Sequence, residues 1–378
     1  MKKIIITILC VMCIGFAGAQ IAKNPAPKLI KSPEVSGEGK VTFRFLAPNA
    51  KKVMLIMDDA KIRPMQKDTA GIWSFTEQFS PDIYRYTFAV DGNVLPDPNN
   101  PMIKTLFKRA LGQSLAYVPG PKTLSWEVNQ VPHGVLSQHF YKSDIVGDDR
   151  DFRVYTPPGY NPNRKEPYPV LYLFHGITDE TSAWTTAGRE NVILDNLISQ
   201  GKAKEMIIVN TLGYGAPEML EPGAGPYEKA ALKKNEELFV SSFIKEVIPR
   251  IENLYNVGKT KKYRAVAGLS MGGGQSLDVG LNHPELFSYV AGFSAAVILL
   301  DPDYEKAFPK LDASINKNLK LIWISIGKDD FLIESNRKYK AWLESKNIKF
   351  FYQETEGVHS YNVWRRYLTD FSQLIFKD

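Results

Sequence analysis

One pentapeptide, Gly268-Leu269-Ser270-Met271-Gly272, constrains the fold of this chain more than any other stretch. It directly follows the apolar, strand-like run Tyr263–Ala267 and precedes Gly273-Gly274-Gln275-Ser276-Leu277, which can open a helix. Alone, G-x-S-x-G is a moderate signal. In that context it reads as a nucleophile elbow, a tight strand–turn–helix that holds a serine hydroxyl clear of a sheet. Glycine is needed at both ends because such a turn crowds backbone against backbone and strains the serine.

The surrounding pattern agrees with the elbow. Val170–Phe174, Met206–Val209, Tyr289–Phe293 and Leu321–Ile326 are short apolar runs without alternation, as expected of parallel strands covered on both faces. Helical periodicity lies between them. Val192, Leu194, Leu197 and Ile198 share one face, and so do Leu238, Phe239, Phe243, Val247 and Ile248, with Pro249 limiting that helix. Strands alternating with helices predict a doubly wound, mostly parallel sheet, and together with the elbow this is the α/β-hydrolase fold. The Gly/Pro-rich stretch 212–232 has no clear period and reads as a long surface loop of the kind that borders a pocket.

The first part of the chain has a different period. Val41, Phe43 and Phe45 alternate with Thr42 and Arg44, and further strands are expected at Val53–Met57, Ile72–Phe75 and Tyr84–Val90. Turn residues at Asp58-Asp59, Ala70-Gly71 and Asp91-Gly92 separate them, which predicts a small all-β sandwich. Trp73, Phe75 and Phe88 read as core. Pro119–Pro132 carries three prolines and little periodicity, and reads as a linker. The expected division is therefore a β-sandwich over 20–118, a linker over 119–134 and the α/β domain over 135–378.

Residues 1–19 read as an export signal. Lys2 and Lys3 precede the apolar stretch Ile4–Phe16, and Ala17-Gly18-Ala19 supplies an A-x-A cleavage site. The apolar stretch is shorter than the roughly 20 residues a spanning helix needs. A secreted or periplasmic protein is expected, with no membrane span after removal of the signal. Both cysteines, Cys10 and Cys13, lie in that signal, so the mature chain would have no disulfide, thiol nucleophile or thiolate metal site. The 47 basic and 41 acidic residues are interspersed, which argues against nucleic acid as a partner. Of the five histidines no two have the i, i+4 spacing of a helical zinc site, so neither metal nor other cofactor is expected.

A nucleophilic serine needs a base and a group that orients the base, here in the chain order serine, acid, histidine. Two histidines follow Ser270. His283 lies before a proline that ends the helix begun at the elbow, and reads as a capping or surface residue. His359 sits in a loop between the strand-like Lys349–Gln353 and an amphipathic terminal helix, where a catalytic base belongs. The acid should follow Leu321–Ile326, and Gly327-Lys328-Asp329-Asp330 offers two candidates that spacing does not separate. Met271, after the nucleophile, offers one oxyanion-hole N–H. His175-Gly176-Ile177 offers the second, and His175 itself is expected to shape that turn rather than act as the base.

These motifs carry a family resemblance. Val154-Tyr155-Thr156-Pro157-Pro158-Gly159-Tyr160, Leu173-Phe174-His175-Gly176, the elbow with Gly273, Gly327-Lys328-Asp329-Asp330, and Gly357-Val358-His359 with Trp364 resemble the esterase-D-like carbohydrate esterases of family 1, which include feruloyl and acetyl-xylan esterases. The resemblance implies that Asp330 is the acid and that Ile177 and Met271 supply the oxyanion donors. It implies a serine esterase acting on esterified plant cell-wall polysaccharide, with a same-fold esterase or acyltransferase on a siderophore or thioester as the rival. A non-catalytic glycan-binding protein is the rival from another class. His175, Trp184, Tyr214 and Tyr227 are candidate substrate contacts. Ser32-Pro33-Glu34-Val35, Ala47-Pro48-Asn49-Ala50 and Val90-Asp91-Gly92 with Asp97-Pro98 resemble the immunoglobulin-like modules of carbohydrate-binding family 48.

Overall fold

A computed structural model describes residues 30–59, 61–109, 111–221, 229–301 and 303–377. The expected export signal and Tyr227 lie outside the described residues. No helix among the described residues is long and apolar enough to cross a membrane.

The first region is all β. Glu34–Val35, Lys40–Leu46, Ile72–Gln78 and Gln66–Lys67 form one antiparallel sheet. Ile62–Pro64, Val53–Met57, Asp82–Val90, Gln113–Val118 and Ile103–Lys104 form a second, and Asn93–Leu95 also pairs with Asp82–Val90. The alternation in Lys40–Leu46 puts Val41, Phe43 and Phe45 inward. They pack against Leu55, Trp73, Tyr86 and Phe88 in one core shared by the two sheets. Trp73 and Phe88 are buried there, as expected, with Phe75 packed partly buried against them.

The second region is an eight-stranded sheet of the α/β-hydrolase type. Its strands are β1 (Val135–Lys142), β2 (Asp149–Thr156), β3 (Val170–Phe174), β4 (Ile207–Thr211), β5 (Arg264–Leu269), β6 (Tyr289–Phe293), β7 (Leu321–Gly327) and β8 (Phe351–Thr355). They lie in the order β1-β2-β4-β3-β5-β6-β7-β8. β1 and β2 are antiparallel to their neighbours, and β3 through β8 are parallel. Every residue of β3, β4, β5 and β6 is buried, the expected result of helices on both faces. On one face lie α2 (Lys229–Ser242), α3 (Ile248–Leu254) and α5 (Ile333–Ser345), and on the other α1 (Glu190–Ser199) and α6 (Tyr361–Ser372). α4 (Ser270–Asn282) leaves the end of β5.

Two local expectations change. Pro249 does not end a helix: the chain makes a wide turn at Phe243–Val247 and starts α3 at Ile248, with proline in the first turn. The backbone stays right-handed helical through Ser242, Val247 and Ile248, so the proline is accommodated within a continuous helix next to its widened turn. The stretch 212–232 is not all loop either, since α2 begins at Lys229, and Leu212, Tyr214, Met219 and Leu220 are buried.

The two regions meet in a junction containing buried charge. Asp82, on a strand of the all-β region, receives Arg365 Nε at 3.1 Å and Arg366 at 2.8 Å. Arg365 is fully buried and donates further to the Ile83 carbonyl. Between the regions, the segment 119–134 is packed down. Trp126 is buried beneath Arg365 and Arg366, and Asn196 Nδ2 donates to the Ser125 and Glu127 carbonyls, each at 2.8 Å. Removing one partner of a buried ion pair costs about 3–5 kcal/mol.

Glu190, in the first turn of α1, is fully buried. Its Oε1 accepts from Thr185 at 2.8 Å and Asn210 at 3.1 Å. Burial pushes its carboxyl up from 4.5 to about 7. The fold therefore favours the protonated form, a contribution present below the unfolded value and lost as pH rises through about 7. Wild type should lose stability relative to Glu190→Gln on passing from about pH 5 to about pH 8, by on the order of 3 kcal/mol. Paired thermal melts at both values measure it, and a pH-independent difference contradicts it.

Candidate active site

The elbow is built by close approach. Ser270 begins α4 with φ +54°, a left-handed backbone that non-glycine residues seldom adopt. A side chain at Gly268 would place its Cβ 2.3 Å from the Gly272 carbonyl oxygen, and one at Gly272 would lie 2.4 Å from that of His175. Only glycine lets β5, α4 and the end of β3 converge on the serine. Met271 is the second residue of α4, where an amide has no carbonyl one turn earlier to bond.

Two side chains from two further loops line up on Ser270. His359 Nε2 lies 2.9 Å from Ser270 Oγ, and His359 Nδ1 lies 2.8 Å from Asp330 Oδ2. Asp330 follows β7, is buried, and accepts a second bond from the Leu332 amide at 2.9 Å. Asp329 is exposed and lies on the solvent side of the same turn, its amide donating to the Gly357 carbonyl. The imidazole is held between two rings. Trp364 meets it edge to face at 4.8 Å, fixed by its own Nε1 donating to Ser294 Oγ at 2.9 Å, and Phe331 lies at 4.5 Å on the outside. Phe331 is 76% exposed, the most open large apolar side chain near the histidine.

The turn after β3 carries the other half. Asp179 N donates to the Gly176 carbonyl at 3.2 Å, closing a turn in which Thr178 has φ +68°. Ile177 N makes no hydrogen bond among the described residues. His175 lies beneath. Its Nδ1 donates to the Gly176 carbonyl at 2.8 Å, and its Nε2 accepts from the Gly213 amide at 3.0 Å. Accepting at Nε2 requires the neutral ring, and burial also holds its pKa below the ordinary value.

Three of the candidate substrate contacts are corrected. His175 is 1% exposed with both nitrogens engaged, so it braces the turn and meets no ligand. Trp184 is wholly buried, donating to the Phe174 carbonyl at 2.9 Å and packing edge-on against Tyr361. Tyr214 is also wholly buried, its hydroxyl donating to the Asp179 carbonyl at 3.0 Å. A ring inside the packing supports a wall from behind and cannot flank a substrate. Tyr227 is outside the described residues.

Other groups here carry no sequence signal. Asp179 is buried and receives Tyr361 Oη at 2.8 Å and Lys104 Nζ, which comes from the all-β region and is itself fully buried. Phe107, also from that region, stacks on Tyr214 at 4.7 Å and 14°. Chain separation of 75 residues hides the Lys104–Asp179 pair from any local pattern. Phe331 had one available clue, its place directly after Asp330.

The sequence profile of a family described as putative esterase matches residues 143–374. The chain is 29% identical over 354 residues, 91% of its length, to an endo-1,4-beta-xylanase/feruloyl esterase of Xylanibacter ruminicola, and spans 46% of that relative's length. Its fold is similar to a ferulic acid esterase of Anaeromyces mucronatus, with TM-score 0.58 and 24% identity over 68% of this chain and 96% of that one. It is also similar in fold to the enterobactin esterase of Shigella flexneri, with TM-score 0.67 and 18% identity over 88% of this chain and 92% of that one.

If close approach at the elbow governs the site, Gly272→Ala should lower the melting temperature and impair any activity at Ser270. Gly37→Ala, where a Cβ meets nothing within 4 Å, should leave both unchanged. Equal melting temperatures for the two variants contradict the crowding argument.

Proposed function

The chain belongs to the putative esterase family, and on that premise we propose that it is a secreted serine hydrolase of carboxylic esters on plant polysaccharide, a feruloyl or acetyl-xylan esterase. One observation carries the reading: the unbroken path from Ser270 Oγ through His359 to the buried Asp330. A carboxylate on Nδ1 leaves Nε2 as the acceptor facing the serine, the arrangement that makes a hydroxyl nucleophilic.

His359 Nε2 takes the Ser270 proton as Oγ attacks the ester carbonyl carbon. The amides of Ile177 and Met271 donate to the oxygen that becomes negative, and Asp330 stabilises the imidazolium. The carbon–oxygen bond to the alcohol then breaks, and His359 returns the proton to the departing alkoxide. Water, deprotonated by the same nitrogen, attacks the acyl-serine, and His359 returns that proton to Ser270 Oγ as the acyl carbon–Oγ bond breaks and the acid is released. No step requires a cofactor.

Two findings support the substrate class. The Xylanibacter relative is named for both xylanase and feruloyl esterase activities, and the chain matches it across both regions. The quoted motifs resemble those of carbohydrate esterases. A second reading, a siderophore ester, draws on the likeness to the enterobactin esterase, which also extends over both regions.

Ser270→Ala should lose at least about 10³-fold in kcat on methyl ferulate and aryl acetates. Near wild-type turnover in that variant would overturn the mechanism. Comparing feruloylated and acetylated xylo-oligosaccharides with a catecholate siderophore ester tests the substrate class, and preference for the siderophore would overturn the polysaccharide assignment.

A further inference from the structure

The all-β region reaches the turn that carries Ile177. Its strand Ile103–Lys104 runs into a short segment lying along residues 178–182. Lys104 Nζ meets the Asp179 carboxylate, and the Phe107 amide donates to the Thr178 carbonyl at 2.9 Å. The Phe107 ring covers Tyr214. Ile177, Met271 and Phe107 all belong to one small apolar cluster beside the elbow, separate from the two main cores of the α/β region.

This turn needs restraint. Thr178 is β-branched and has φ +68°, a conformation that persists only when its surroundings enforce it. An oxyanion donor also has to be aimed before the charge develops, because its value lies in preorganisation. The α/β region supplies Tyr361 on the carboxylate of Asp179 and Tyr214 on its carbonyl. The Thr178 carbonyl and the second carboxylate oxygen of Asp179 are tied from the all-β region. Lys104 has no exposure at all, and a fully buried ammonium is a poor way to gain stability where an apolar side chain of similar length would pack. Its placement makes sense as orientation.

We propose that Lys104 and Phe107 are positioning residues for the oxyanion hole, so that the active site is assembled from both regions of the chain. The proposal rests on the reading of Ile177 and Met271 as the oxyanion donors. On this account the all-β region is part of the catalytic unit, and a ligand-binding role is not what ties it to the α/β region. The Lys104–Asp179 pair sets the turn, and the Phe107 amide holds Thr178 in its strained conformation.

Lys104→Met and the double variant Lys104→Met/Asp179→Asn separate positioning from stability. Lys104→Met should lower kcat on methyl ferulate about 10²-fold while KM stays within about twofold. Its affinity for an aryl boronic acid, which forms a tetrahedral adduct on the serine, should fall in step with kcat/KM. The single variant leaves a buried carboxylate unpaired and is expected to be less stable. The double variant removes both charges and should recover the melting temperature, yet keep the low kcat and weak boronate binding. A stable double variant with wild-type kcat would show the pair to be structural only and overturn the proposal. Ser270→Ala is assayed alongside: if it retains turnover, the esterase mechanism itself fails, and if it is inactive, a negative result concerns the Lys104–Asp179 pair alone.

Discussion

A serine in left-handed backbone, gripped between Gly268 and Gly272, is the constraint from which the rest of the site follows. The turn brings β5, the start of α4 and the end of β3 within distances that admit no side chain. That convergence sets Ser270 Oγ at the C-terminal end of a central strand and starts a helix whose first amides have no internal partner. It also fixes where the loops after β3, β7 and β8 must arrive, because those strands are registered in parallel on either side of β5. His359 and Asp330 then need only short loops to reach the serine.

The second determinant is buried charge. Asp82 with Arg365, and Asp179 with Lys104, join the all-β region to the α/β region at two places. Such pairs are costly to desolvate and exacting in geometry, so they set orientation more than they add stability. One of them ends on the turn beside the elbow. The packed segment around Trp126, held by Asn196, makes the junction continuous.

Much of this was legible in the sequence for physical reasons that can be named. Apolar runs such as Val170–Phe174 have no alternation because both faces are covered, and the structure buries every residue of that strand. Val41, Phe43 and Phe45 alternate because one face of a sandwich strand meets solvent. Pattern did not reveal which way a neighbouring side chain turns: Asp329 and Asp330 are adjacent, yet one faces solvent and the other the imidazole. Aromatic identity likewise does not report depth, so Trp184 and Tyr214, read as substrate contacts, are packing residues. Pro249 misled because a widened helical turn accommodates it without ending the helix. Pairs separated by 75 and 283 residues leave no local trace at all.

The central claim is that Ser270 is made nucleophilic by His359. Reaction with a fluorophosphonate followed by peptide mass spectrometry tests it directly, since such reagents phosphonylate only an activated serine. The account predicts a single adduct on the peptide containing Ser270 in the wild type and strongly reduced labelling in His359→Ala. No adduct on a folded wild-type protein, or an adduct at another serine, would contradict it.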